Sequence, residues 1–308
     1  MSDRMMGIFD SKSSYSKEEA EAFVRQRSEY LGERVKELIG RDVDLTGIRR
    51  NPHPYRKKNI YELDLSNGTK IILKLCRKDR VRNEVQGMNY ATLVGILHAE
   101  LIGYEDSVNN PFENPFLLMR YLEDVKPITK LIEEDAEVKD QHIRDSLNII
   151  EALHTPRICM DAVYHQRKMT ELFDEHKRSI QRNPKPDDRD QLAQELEAVF
   201  DFYENHRGVF TRACVCHLHG DLAVQNFIHT EDGIRLIDWA FYHIGDYAED
   251  MAYFIDCTFH LTKLVRNPQE YIDMITERYS RTDPEFSMRL EFYTSFMNYQ
   301  RSGHFFKC

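Results

Sequence analysis

Asp221 and Asn226 stand five residues apart in His219-Gly-Asp-Leu-Ala-Val-Gln-Asn226, and a further carboxylate, Asp238, closes the apolar run Ile234-Arg-Leu-Ile-Asp238 just before Trp239. One carboxylate to orient an attacking hydroxyl and take its proton, with a carboxamide and a second carboxylate to hold magnesium against phosphates, is the donor set that phosphoryl transfer needs. The rival reading is a Gly-Asp turn followed by a strand-end acid, since both residue types are common in loops. An upstream pair weighs against it. Lys74 lies inside Ile71-Ile-Leu-Lys-Leu75, and Glu84 follows early in the next helical pattern. Alone, Lys74 reads as a solvated hairpin residue. An ammonium in a half-buried strand costs free energy unless a carboxylate or a phosphate pairs with it, so the two halves of the pattern support each other.

These residues need elements to hold them. Ser16 and Glu19 form a capping box, and apolar residues recur at helical spacing from Ala20 to Leu38 until Gly40. Asn59–Leu65 and Thr69–Leu75 read as two strands joined by a tight turn at Ser66-Asn-Gly68. A helix over Val81 to about Leu97 follows, then strands at Leu101–Tyr104 and Pro115–Tyr121. Amphipathic helices are expected over 128–154, 160–178 and 191–206, with breakers at Thr155-Pro156 and Asn183–Asp188. Two short apolar runs, Ala213–Leu218 and Gly233–Asp238, flank the Asp221 loop, and helices resume from Gly245. The expectation is an α+β chain in two lobes, a β-rich N-lobe over 1–120 and a mainly helical C-lobe over 121–308, joined through Leu118–Glu123.

Composition removes other classes. The 308 residues are 41% hydrophobic and 31% charged, an ordinary globular balance. A net charge of −10 is opposite to the basic footprint of nucleic-acid binding. No apolar stretch approaches the ~20 residues of a membrane span, and the first twelve residues lack the apolar core of a signal peptide. Six sparse cysteines suggest reduced thiols and a cytoplasmic protein. Cys214, Cys216, His217 and His219 have the donor types for zinc, but in an extended strand the cysteines and histidines point to opposite sides.

Together, His219-Gly-Asp221…Asn226, Ile237-Asp-Trp239, Gly245-Asp246…Asp250-Met-Ala252 and Ile150-Glu-Ala-Leu-His154 resemble the motifs of the aminoglycoside phosphotransferase and choline kinase superfamily, from about Thr46 onward. The resemblance implies a bilobal protein-kinase-like fold, ATP and Mg2+ as cofactors, and a small-molecule hydroxyl acceptor such as an aminoglycoside, choline or another amino alcohol, or a sugar. It implies that Asp221 is the catalytic base, that Asn226 and Asp238 ligate magnesium, that Lys74 contacts the α/β-phosphates and that Glu84 braces Lys74. It makes Leu118-Met119-Arg120-Tyr121 the hinge, with backbone groups on the adenine edge and Leu118 or Met119 as an apolar wall. His219 is expected to pack within the loop, Asp246 to clamp near it, and Asp250 to open the following helix or face the acceptor. A protein kinase is disfavoured because no room for an activation segment follows Asp238 and no Ala-Pro-Glu appears. One departure stands out: Gly47–Lys58, where a phosphate-covering loop is expected, has one Gly before two prolines and five cationic residues. The rival from another class is therefore a weak or inactive pseudokinase that binds a nucleotide or ligand.

Overall fold

Period-two alternation from Ile60 to Leu75 gives two strands, each with one apolar face, and the rest of the first sheet assembles on them. A computed structural model describes residues 17–50, 59–134, 139–155, 157–159, 162–182, 186–261, 265 and 267–302. Elements are numbered along the chain: α1 Lys17–Leu38, β1 Leu45–Arg50, β2 Ile60–Leu65, β3 Lys70–Leu75, α2 Val81–Leu93, β4 Leu101–Glu105, β5 Phe116–Arg120, β6 Lys126–Pro127, α3 Ile128–Glu134, α4 Lys139–His154, β7 Ile158–Cys159, α5 Ala162–Gln181, α6 Pro186–Asn205, α7 Arg207–Arg212, β8 Cys214–Leu218, β9 Phe227–Thr230, β10 Gly233–Leu236, β11 His243–Asp246, α8 Tyr247–Ile255, α9 Pro268–Ser280 and α10 Phe286–Ser302. The chain forms two compact units. One holds residues up to Val125 with Thr230–Ala240; the other holds Lys126–His229 with Phe241 onward.

The first unit is built on a five-stranded antiparallel sheet in the order β1-β2-β3-β5-β4. Alternation sorts its side chains. Tyr61, Leu63, Leu65, Ile71, Leu73, Phe116 and Leu118 pack with Val24, Leu31 and Val35 of α1 into one buried cluster. Ile72, Lys74, Leu117 and Met119 take the other face, with Ile72 opposite Met119 and Lys74 opposite Leu117. Residues 230–240 join this unit through the Leu236 amide on the Leu97 carbonyl (2.9 Å) and Arg235 on the His98 carbonyl (2.9 Å).

The second unit is mainly helical. Phe173 of α5, Tyr203 of α6, Phe210 of α7 and Phe292 and Phe296 of α10 meet edge-on or tilted, with centroids 4.8–6.5 Å apart for the contacts of Phe173 with Tyr203, Phe292 and Phe296 and of Phe210 with Phe292. The aromatic residues of the last helix are thus core. A small sheet, β11-β8-β7, stands beside them, with Asp246 opposite Val215 and His243 opposite Leu218.

Several local expectations change. β1 occupies residues read as the start of a loop, and β11 occupies residues read as a helix start. α6 begins at Pro186, inside the stretch read as a breaker, because proline suits the first turn of a helix. Ser16 of the capping box and positions 51–58 of the Gly-poor loop lie outside the described residues. Cys257 is disulfide-bonded, against the expectation of reduced thiols, while Cys76, Cys214 and Cys216 are free. Among the described residues, no helix is long and apolar enough to cross a membrane.

Candidate functional site

In the first unit, the side chain expected to hold phosphates is gripped by carboxylates. Lys74 is 7% exposed, and its Nζ donates to Glu84 Oε1 at 2.5 Å and to Asp238 Oδ1 at 2.8 Å. Burial pulls the lysine pKa down, but Glu84 and Asp238 outweigh it, so the ammonium is held above its ordinary range and stays charged. Removing one partner from such a buried pair typically costs roughly 3–5 kcal/mol. Local folding sets each member. Lys74 sits on the face of β3 opposite the α1 cluster, and Glu84 stands in the first turn of α2, whose Val81, Val85 and Met88 are buried. Asp238 follows β10 in the left-handed region, φ 69°, and the buried Trp239 donates from Nε1 to the Leu236 carbonyl at 3.1 Å, folding the chain back at that point. A non-glycine residue in this conformation is strained by about 1–3 kcal/mol and persists where its surroundings fix it. Cys76 lies next door with Sγ 3.9 Å from Glu84 Oε2; burial and that carboxylate push its thiol up to about 12, so it adds no charge.

The expected hinge residues separate. Met119 shares the Lys74 face, but Leu118 is in the α1 cluster on the other face. β5 is paired on both sides, with Leu118 opposite Leu73 and Gly103 and Met119 opposite Ile72 and Leu101. Both residues lie within the paired stretch of β5. Arg120 and Tyr121 donate their amides to the Glu100 and Lys70 carbonyls at 2.9 and 3.4 Å, and Lys70 lies over the Tyr121 ring.

In the second unit, the Asp221 loop is tied down residue by residue. Asp250, 1% exposed, accepts the His219 amide at Oδ2 (2.8 Å), the Gly220 amide at Oδ1 (2.9 Å) and His154 Nε2 at Oδ2 (3.2 Å). Burial raises its pKa, but the hydrogen bonds from His154 and the Gly220 amide help to outweigh it and leave it lowered. His154, fully buried at the end of α4, meets Asp250 through Nε2 and the Tyr279 hydroxyl through Nδ1 (3.1 Å). His219 Nδ1 accepts the Asp221 amide at 3.3 Å, and Asn226 Nδ2 donates to the Asp221 carbonyl at 2.7 Å. The Asp221 carboxylate accepts from the Tyr253 hydroxyl. Sequence reading missed Tyr253 and gave the loop clamp to Asp246 instead of Asp250. Asp246 is the N-cap of α8, accepting the Ala248 amide at 3.0 Å, and is ion-paired with buried Arg289 at 2.7 Å. Asp250 lies in the first turn of that helix, where its carboxylate reaches the loop amides.

A hard divalent cation asks for oxygen donors. Asn226 fits: its amide nitrogen is spent on the Asp221 carbonyl, which leaves its oxygen as the coordinating atom. Asp238 fits by the chemistry of its carboxylate, one oxygen of which accepts from Lys74. Among the described residues no group of three or more His, Cys, Asp or Glu could hold a metal. His217 is stacked on Tyr242 with centroids 5.7 Å apart, and burial pushes the Cys216 thiol pKa far up, so neither resembles a zinc ligand.

Residues 56–286 match the model of the phosphotransferase enzyme family. Choline kinase LicA from Streptococcus pneumoniae has a similar fold, with TM-score 0.58 at 14% identity over 90% of each chain. A thermostable mutant of aminoglycoside phosphotransferase APH(4)-Ia gives 0.61 at 11% identity over 90% of this chain and 93% of that one. The GDP and kanamycin complex of APH(2")-IIia gives 0.54 at 14% identity over 88% and 90%. No curated protein matches. At such identities the shared fold is what these structures establish; the family model, matching three quarters of the sequence, goes further, and the chain belongs to the phosphotransferase enzyme family.

Proposed function

We propose that the protein is an ATP- and magnesium-dependent kinase that moves a γ-phosphoryl group to a hydroxyl of a small molecule. The observation that carries this reading is the buried Lys74 held by Glu84 and Asp238: a charged ammonium kept in a fixed place suits the oxygens of a polyphosphate. Lys74 would contact the α/β-phosphates, Glu84 would hold Lys74 there, and Met119 would wall the base. Asn226 and Asp238 would present oxygens to magnesium, which when bound neutralises charge on the phosphates. Asp221 would align the acceptor hydroxyl and take its proton as the new O–P bond forms and the bond from the γ-phosphorus to the bridging oxygen breaks. His219 and Asp250 hold the loop, and Asp246 holds α8. Catalysis of this kind is positioning plus charge neutralisation.

The acceptor is proposed as a cationic or neutral alcohol. The similar structures include a choline kinase and a complex with kanamycin, and the net charge of −10 favours such acceptors over anions. The test is release of ADP or GDP by the purified protein with magnesium, using choline, ethanolamine, amino sugars, homoserine and aminoglycosides in turn. One acceptor should stimulate turnover, and Asp221→Ala should lower kcat by about 10²–10⁴. If no acceptor stimulates release and calorimetry finds no magnesium-dependent nucleotide binding, the reading is lost and a non-catalytic binding module replaces it.

A further inference from the structure

Three consecutive residues of the loop are held by two residues of one helix. Asp250 takes the amides of His219 and Gly220, and Tyr253, three residues further along α8, meets the carboxylate of Asp221. Residues three apart share a helix face, so the spacing of α8 is copied onto the loop. The helix itself is fixed at its start, where Asp246 caps it and pairs with Arg289. Tyr253 is only 8% exposed, and burial, followed by the charges of Asp221, Asp250 and Asp256, raises its pKa, so the phenol keeps its proton and remains a donor.

We propose that Tyr253 is a positioning residue for Asp221: its hydroxyl holds one carboxylate oxygen and leaves the other aimed at the acceptor. The proposal rests on the kinase reading above and deepens it. A carboxylate on a single side-chain bond beyond a glycine turn has rotamer freedom that the loop backbone cannot remove. The hydrogen bond from Tyr253 removes it, so that the acceptor hydroxyl finds one orientation of Asp221 instead of several. Positional errors of about 1 Å at a reacting group can cost about 10²-fold in rate.

The test is a cycle of four proteins: wild type, Tyr253→Phe, Asp221→Asn and the double variant. Phe keeps the ring and its packing and removes only the hydroxyl. The expected result is a kcat lowered by about 10- to 10²-fold in Tyr253→Phe with the nucleotide KM unchanged, and no further loss when the same change is made on Asp221→Asn. A wild-type kcat in Tyr253→Phe, or equal losses in both backgrounds, overturns the proposal. So does a raised kcat, which would make the hydroxyl a block in the acceptor's place. Urea unfolding of the same four proteins separates this failure from that of the kinase reading. Non-additive stabilities are expected because the two groups are hydrogen-bonded to each other. Additive stabilities overturn the Tyr253–Asp221 bond even if no acceptor is ever found, whereas coupling without turnover leaves the bond standing and removes the kinase reading.

Discussion

Gly220 shows how narrow the constraint on a single residue can be. It sits at φ 74°, and a Cβ built on it would lie 2.3 Å from the Phe241 carbonyl oxygen, a backbone atom with little room to retreat. The left-handed conformation lets its amide reach Asp250 while the chain turns to present Asp221. Gly220→Ala is therefore expected to lower stability by about 1–3 kcal/mol, from conformation alone, and more if the clash is not relieved. The measurement is the urea midpoint alongside kcat; an unchanged midpoint would show that the turn yields. At this scale much was legible. Asp221, Asn226, Lys74 and Glu84 stand out by type and spacing, and the fold joins Lys74 to Glu84 and Asn226 to the Asp221 carbonyl. Tyr253 was not legible, because tyrosine in an apolar helix reads as core and only the fold brings its hydroxyl to a carboxylate. Leu118 and Met119 were read as interchangeable; strand alternation, once the register is known, sends them to opposite faces.

At the scale of elements, α8 and its surroundings do most of the holding. Arg289 of α10 is wholly buried and pairs with Asp246 at 2.7 Å and with Asp283 at 2.5 Å, fixing the start of α8 to the last helix. β11 is joined to α8 by a second pair, His243 Nε2 to Glu249 Oε1 at 3.4 Å. Burial lowers the histidine pKa, but Glu249 and the Phe241 carbonyl raise it more, to about 9 from 6.5. A histidine raised on folding contributes stability that is complete below pH 6.5 and is lost as pH climbs through 9. Urea unfolding should therefore show stability falling between these limits, by about 0–1 kcal/mol given the partial exposure of the pair, and His243→Asn should flatten the slope. An identical slope in the variant would assign the effect elsewhere. The long amphipathic helices and the β2–β3 hairpin were legible because many residues repeat one period. β1 and β11 were not: Leu-Thr-Gly-Ile-Arg-Arg buries only Ile48 well, and four residues of β11 carry too little pattern to compete with the helix that follows.

The whole molecule adds its charge. With 52 acidic and 42 basic residues, it attracts cations at a distance. For a cationic acceptor, kcat/KM is expected to fall a few-fold as the Debye length shrinks from about 30 Å at 0.01 M salt to about 8 Å at 0.15 M, while a neutral polyol should be indifferent. Equal salt dependence for both would remove steering from the account. The change from strands to helices near residue 120 lies close to the point, Val125, where the first unit's leading segment ends. The return of Thr230–Ala240 to the first unit was not legible, because nothing in a short apolar strand names its partner. That return has a consequence for the order in which the protein is made. A chain leaving the ribosome exposes Lys74 and Glu84 long before Asp238 exists, so the β-rich unit waits half-assembled, its buried ammonium short of one carboxylate, while more than a hundred residues of the other unit are synthesised. Neither unit is a continuous length of chain, and the Lys74–Glu84–Asp238 cluster is finished only when translation has passed the Asp221 loop.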